Sequence, residues 1–137
     1  MKKFIVTISA VCLVVVSMMS CKKKYPSVNE MLPSTERKIS FQLYTNQDFS
    51  ANTSVINFSV FIRKANNILF DSALAPMQIK DIPNAAHKLI VEKAVRDNDN
   101  SDLVAGFRYE IENVGHSGFT DTSKAGNPLK VIDFAFQ

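Results

Sequence analysis

Two carboxylates on one short segment are the first groups in this chain that suggest chemistry. Glu110 and Glu112 stand two residues apart in a stretch of alternating apolar and polar residues, so both lie on one face of a predicted strand. Paired carboxylates hydrolyse glycosidic bonds when they flank a cleft at a defined separation. Neighbouring carboxylates on the polar face of a strand are usually only solvated. This pair therefore supports hydrolysis only as an alternative function.

The segment Gly115-His116-Ser117-Gly118 places a histidine beside a serine, two residue types used in nucleophilic catalysis. A nucleophile elbow needs a different glycine spacing and a strand-to-helix turn, whereas the flanking pattern here is that of strands. His87 is the only other histidine, and a zinc site needs three or four protein ligands. The sequence therefore predicts no catalytic residue, no metal site and no cofactor.

An acidic loop offers oxygen ligands of the kind that Ca²⁺ prefers, namely Asp97, Asp99, Ser101 and Asp102. An EF-hand needs glycine at its sixth position and glutamate at its twelfth, where this chain has Asp102 and Arg108. A plain hydrophilic hairpin loop is the simpler interpretation, and calcium binding in another geometry stays open.

Cys21 gains its significance from the residues that precede it. Two lysines near the start of the chain are followed by an apolar run from Phe4 to Met19, and then by Ser20 and Cys21. A basic start, a short apolar run and a small residue before the cleavage site characterise an export signal. The run has 16 residues. A membrane-spanning helix needs about 20, so we predict a cleaved signal peptide over residues 1–20.

The segment Met18-Met19-Ser20-Cys21 resembles the lipobox of bacterial lipoproteins. This resemblance implies that the Cys21 thiol is diacylated, that cleavage occurs just before it, and that the new amino group is usually acylated too. Stable anchoring needs at least two membrane signals, which several acyl chains on one residue provide. The competing interpretation is an ordinary thiol after a conventional cleavage site.

Removal of the signal peptide changes the composition of the chain. Cys12 leaves with it, so the mature chain has one cysteine and no internal disulfide. The whole chain has 16 Lys and Arg against 13 Asp and Glu, and without Lys2 and Lys3 the basic count is 14, which leaves a net charge of about +1 instead of +3. The basic residues form no stripe, which argues against a nucleic-acid partner.

The remaining chain divides into a tether and one domain. Residues 21–36 are predicted to comprise the lipidated cysteine and a flexible tether, because Pro26, Pro33 and several polar residues interrupt any period. From residue 37 to 137 apolar and polar residues alternate in short segments, as strands with one buried face do. Seven such segments cover residues 37–45, 54–64, 68–72, 77–82, 88–96, 103–112 and 129–136.

No helical period interrupts these segments, so we predict an all-β fold, a single antiparallel β-sandwich of six to seven strands that is immunoglobulin-like. Asn113 to Pro128 is predicted to be a long connection, and long loops in compact domains often bind ligands. The predicted contacts in this binding loop are Asn113, His116, Phe119 and Asp121. An ordinary sandwich connection is the other interpretation.

Residues 37–137 are also similar, as a whole, to small lipoproteins of Bacteroidota, through Phe41-Gln42-Leu43-Tyr44-Thr45, Asp48-Phe49-Ser50 and the segment from Tyr109 to Gly115. This resemblance implies no activity. In that group a lysine followed by acidic residues after the cysteine marks surface export; Lys22 matches this signal, whereas Lys23 and Lys24 do not. The resemblance implies a lipid anchor in the outer membrane, on its periplasmic face or at the cell surface.

These observations predict a lipid-anchored protein of the cell envelope that acts as a non-catalytic binding or interaction module. Its partners would be the membrane, through the lipid on Cys21, and a protein or a glycan. The alternative is a small cell-envelope hydrolase that uses carboxylates such as Glu110.

Overall fold

A computed structural model of the chain describes residues 35–97 and 100–137. These residues form eight strands, one 3-10 turn at Ile79–Asp81 and no α-helix. The strands are β1 (Thr35–Thr45), β2 (Val55–Lys64), β3 (Asn67–Ala73), β4 (Met77–Gln78), β5 (Leu89–Asp97), β6 (Leu103–Ile111), β7 (Gly115–Ser123) and β8 (Leu129–Phe136). The predicted signal peptide, Cys21 and the tether up to residue 34 lie outside the described residues.

The strands form two sheets that pack as a sandwich, which confirms the predicted fold class. One sheet has the order β5-β1-β8, and the other has the order β3-β2-β6-β7 with β4 paired to β2. The order β3-β2-β6-β7 is that of strands C′-C-F-G in an immunoglobulin variable domain, and β5 beside β1 corresponds to E beside B. β8 lies on the other side of β1, in the position of strand A.

The last strand departs from the predicted antiparallel arrangement, because β8 runs parallel to β1. Its direction follows from the route of the chain: β7 ends at the end of the sandwich where β1 begins, and a short turn then starts β8 there. The predicted number of strands was also too low. The missed strand is β7, which pairs with β6 along its whole length from Gly115 to Ser123.

The segment from Asn113 to Pro128 is therefore not one long loop, and that prediction was wrong. β7 escaped recognition because its inward-facing side is mostly polar: Asp121 pairs with Lys130, and Ser123 accepts a hydrogen bond from Arg37. The first strand also starts earlier than the predicted strand segment, since β1 begins at Thr35 and not at residue 37.

Aromatic side chains join the two sheets at the centre of the core. Phe41 on β1 is fully buried, and its ring meets that of Phe107 on β6 edge-on at a centroid distance of 5.7 Å. Phe136 on β8 meets Phe58 on β2 in the same way at 6.0 Å. Edge-to-face aromatic contacts of this kind stabilise a core beyond the area that they bury.

Arg37 lies on the core-facing side of β1 and is 0% exposed. Its guanidinium donates to the carbonyl oxygen of Ser101, just before β6 begins. It also donates to the carbonyl oxygen and the hydroxyl oxygen of Ser123, both at 2.8 Å, and to the carbonyl oxygen of Lys124 at 2.9 Å, where β7 ends. These bonds fix the start of the central strand of one sheet to two strand ends of the other.

We call the end of the sandwich that contains Arg37 the proximal end, because the described chain begins there. The turn Ala65–Asn66 and residues 124–128 lie at this end as well. The opposite, distal end contains residues 46–54 between β1 and β2, residues 74–88 around β4, and the turn of residues 112–114 between β6 and β7. In variable domains the corresponding B–C and F–G loops form part of the binding surface.

Charged side chains face inward at both lateral edges of the sandwich. On one side the ammonium group of Lys93 on β5 lies 4.7 Å from the ring centroid of Phe70 on β3. On the other side the ammonium group of Lys130 on β8 lies 2.5 Å from a carboxylate oxygen of Asp121 on β7. Inward-pointing charges on edge strands oppose pairing with strands of other molecules.

Replacement of Arg37 by methionine should strongly destabilise the domain. The variant leaves the carbonyl oxygens of Ser101, Ser123 and Lys124 without their buried donor, so we expect a loss of about 3 kcal/mol in the free energy of unfolding. Urea unfolding measures this loss. Arg96→Met removes an exposed arginine and should change stability by less than about 0.5 kcal/mol. Equal effects of the two variants would contradict the role assigned to Arg37.

Candidate functional site

The distal end of the sandwich contains a cleft of about 710 Å³ that is open to solvent. Its walls come from two segments that no strand pattern predicts to be adjacent, one directly after β1 and one before β5. We call it the distal cleft. It is lined by Thr45, Asn46, Gln47, Asp48, Phe49, Ser50, Lys80, Ile82, Pro83, Asn84, Ala85, Ala86 and His87.

Backbone hydrogen bonds hold the two walls together. The amide of Thr45 donates to the carbonyl oxygen of Pro83 at 2.8 Å, and the amide of Lys80 donates to that of Asn52 at 3.0 Å. The hydroxyl of Thr45 donates to the carbonyl oxygen of Phe136 at 2.9 Å, which fixes the first wall to β8. The cleft is therefore formed by the fold itself and does not depend on a bound ligand for its shape.

In each wall, one side chain accepts a hydrogen bond from a backbone amide of the local turn, and this bond also fixes the orientation of the side chain. Asp48 accepts a hydrogen bond from the amide of Ser50 at 2.9 Å, and this bond lowers the pKa of the Asp48 carboxyl from its ordinary value of 3.8. Asn84 accepts from the amide of Ala86 at 3.0 Å through its side-chain oxygen, so the orientation of this carboxamide is fixed. The same oxygen lies 3.2 Å from Nδ1 of His87, which must then be the protonated ring nitrogen.

The chemistry available in the distal cleft is that of binding. Asn46 and Gln47 are exposed, and neither side chain makes a hydrogen bond among the described residues. Asp48 and His87 are on different walls and make no hydrogen bond to each other. The sequence analysis missed these residues; the available signal was the concentration of Asn, Gln and Asp directly after the first strand and around Pro83.

A second concave surface, of about 640 Å³, lies on the outer face of the five-stranded sheet. We call it the outer groove. Glu110 on β6 and His116 on β7 are direct cross-strand partners there, and Asn57 on β2 pairs with Glu110 on the other side. Gly118 leaves part of the groove without a side chain. Further along, the guanidinium of Arg108 covers the ring of Phe61.

The Arg108 guanidinium explains why Phe61 is buried, which the strand pattern does not predict. Phe61 alternates with the core residues of β2 and so points outward, yet it is only 8% exposed. The guanidinium carbon of Arg108 lies 4.9 Å from its ring centroid, and the same group forms an ion pair with Asp71 on β3. This outward phenylalanine is covered by the surface of its own sheet.

The four predicted binding-loop residues do not form one site. Asn113 lies in the turn between β6 and β7 with φ of 62°, and His116 lines the outer groove. Phe119 is half-buried and stacks on Phe134 at a centroid distance of 5.3 Å, on the opposite face of β7 from His116. Asp121 also faces inward and pairs with Lys130. Phe119 and Asp121 thus close the edge of the sandwich.

The acidic loop predicted as a calcium ligand is occupied, in its described part, by bonds to the protein. One carboxylate oxygen of Asp102 accepts from the ammonium of Lys124 at 2.7 Å and the other from the amide of Ala125 at 2.8 Å. These bonds, with that to Lys124 the larger cause, lower the pKa of Asp102. The side chains of Asp97 and Asp99 lie outside the described residues, and the described ones contain no group of metal-ligating side chains.

The glutamate pair that opened the sequence analysis is found on the outer face of β6 and at its end. Both Glu110 and Glu112 are exposed. The sequence did not indicate that Glu110 would lie next to a histidine, but pairing of β7 with β6 places His116 directly opposite it. His87, the other histidine, lies in the distal cleft.

Comparisons with protein-family models, with curated proteins and with solved structures give no match for this chain. In the part of the chain that the structure describes, no helix is long and apolar enough to cross a membrane.

The ion pair between Asp121 and Lys130 should make stability sensitive to acid. The bond from Lys130, followed by one from the amide of Thr122, lowers the pKa of Asp121 from 3.8 in the folded state. Its contribution is complete above the unfolded pKa and is lost as the pH falls through the lower folded pKa. We expect Asp121→Asn to reduce the loss of urea resistance between neutral pH and pH about 3.

Asp81→Asn controls for the change in net charge, because Asp81 makes no ion pair among the described residues. An acid dependence that is identical in Asp121→Asn and the unmodified protein would show that this pair does not contribute.

Proposed function

We propose that this protein is a lipid-anchored, non-catalytic binding module of the cell envelope. Acyl chains on Cys21 hold it in the outer membrane, on the periplasmic face or at the cell surface, and the domain binds a ligand or partner through the distal cleft. The single observation that supports the binding role is the cleft itself, whose two walls are joined by backbone hydrogen bonds.

The position of the cleft agrees with this role. β1 begins at the proximal end, so a tether from Cys21 would reach the domain there and leave the distal cleft on the opposite side. The polar side chains of Arg37, Asp121 and Lys130 serve the fold itself, because their bonds join strands. The exposed carboxamides of Asn46 and Gln47 serve no such need, which supports a role in binding.

A small hydrolase of the cell envelope is the second candidate. The cross-strand pairing of Glu110 with His116 in the outer groove favours it, because a carboxylate beside an imidazole is a usual arrangement for general acid–base catalysis. Both side chains are exposed, and neither makes a hydrogen bond among the described residues that would orient it for proton transfer. The binding module is therefore preferred.

Replacement of Cys21 by alanine should release the protein from membranes. The variant has no thiol to acylate, and the remaining tether provides at most the weak attraction of Lys22 to Lys24 for an anionic surface. Fractionation of cells that express the full chain measures the change. Replacement of Lys23 by alanine is the control and should leave the protein in the membrane fraction. Retention of the Cys21→Ala protein in that fraction would contradict the anchor.

The two candidate functions are separated by an activity screen of the membrane-extracted protein with generic ester, glycoside and peptide substrates. We expect no turnover above that of a matched mock extract. Reproducible turnover that is abolished by Glu110→Gln and retained in Glu112→Gln would establish the hydrolase and overturn the preferred function.

A further inference from the structure

The polar groups of the distal cleft divide into those that hold the fold and those that are left to face a ligand. Asp48 uses one carboxylate oxygen for the amide of Ser50, and Asn84 uses its side-chain oxygen for the amide of Ala86 and for His87. The Asp48 carboxylate is also bonded by the side chain of Ser50. What remains is the amide hydrogens of Asn84 and the ring nitrogen Nε2 of His87.

Two further carboxamides complete this set. Asn46 and Gln47 are exposed at the cleft and make no side-chain hydrogen bond in the described chain. A carboxamide presents an acceptor and donors side by side, and a hydroxyl group likewise donates once and accepts. Neighbouring hydroxyls of a ligand can therefore pair with one carboxamide through two hydrogen bonds.

The charges in the cleft do not favour an ionic ligand. Asp48 on one wall and Lys80 on the other carry charges of opposite sign, and the carboxamide and hydroxyl side chains of the walls are uncharged. A strongly anionic or cationic ligand would be attracted by one wall and repelled by the other. The walls thus fit a ligand that is polar but uncharged.

The cleft also has an apolar component. Ile82 is almost fully buried, and Phe49 is half-buried and held by its contact with Phe136 at a centroid distance of 5.5 Å. Pro83 lies beside them in the wall. Such a surface contacts C–H groups without requiring a hydrogen bond. The volume of about 710 Å³ lies in the range of small-ligand sites, about 300–1,000 Å³.

We propose that the distal cleft binds a short neutral saccharide. The carboxamides of Asn46, Gln47 and Asn84 bond its hydroxyls, and the apolar wall contacts its C–H face. Because backbone hydrogen bonds already fix the walls, binding costs little conformational entropy of the protein. This inference rests on the proposed function and specifies the ligand of its cleft.

Calorimetric titration of the full chain, extracted in a detergent without a sugar headgroup, tests the proposal. The probes are neutral tetrasaccharides of glucose, mannose, galactose, xylose and N-acetylglucosamine at millimolar concentration. We expect at least one to bind. The double variant Asn46→Ala/Gln47→Ala should weaken that binding about tenfold, which corresponds to the loss of two ordinary hydrogen bonds.

A control variant outside the cleft makes the test specific. Asn127→Ala removes an exposed carboxamide at the proximal end and should not change the affinity. Thermal unfolding of the double variant should match that of the unmodified protein, since neither side chain supports the fold. Unchanged unfolding ensures that weaker binding reports the loss of contacts.

The saccharide proposal is overturned by binding of none of the five probes, or by binding that the double variant does not weaken. Each of these results leaves the anchored binding module standing if Cys21→Ala is released from membranes. Conversely, saccharide binding together with a membrane-bound Cys21→Ala protein would support this inference and contradict the anchor.

Discussion

The buried guanidinium of Arg37 is the interaction on which the arrangement of the two sheets most depends. Moving a cation out of water costs several kcal/mol unless hydrogen bonds replace its hydration. The carbonyl oxygens of Ser101, Ser123 and Lys124 provide these bonds only where β1, the start of β6 and the end of β7 meet. The turn that follows β7 then begins β8 beside the start of β1, which accounts for the parallel pair.

The hydrogen bonds of Arg37 fix the proximal end of the sandwich, whereas the distal end contains the cleft. β1 has a polar residue at each end of its buried face, and Thr45 at the distal end again bonds carbonyl oxygens, those of Pro83 and Phe136. Between these two points the buried face is apolar. The distal segments are thus fixed where they leave the sandwich, while their exposed carboxamides stay free to meet solvent or a ligand. The described chain begins at one end of the sandwich, and the distal cleft lies at the other.

The sequence predicted the parts of the fold whose signal is a simple alternation of apolar and polar residues. It failed at β7, whose inward positions are filled by Asp121 and Ser123, because their partners, Lys130 and Arg37, are distant in the chain. Arg37 itself was open to prediction, since it alternates in phase with Ile39 and Phe41. The distal cleft was not, because it arises from hydrogen bonds between segments that no local pattern relates. Of the predicted contacts, His116 lines the outer groove.

Nuclear magnetic resonance of the arginine side chains tests the central claim most directly. We expect the Arg37 guanidinium, assigned by the loss of its signals in Arg37→Lys, to give separate Nη resonances whose hydrogens exchange slowly with water. Those of the exposed Arg63 and Arg96 should be averaged by rotation and exchange rapidly. A single averaged and rapidly exchanging signal from Arg37 would show that its guanidinium is not held between the sheets, and would contradict the account.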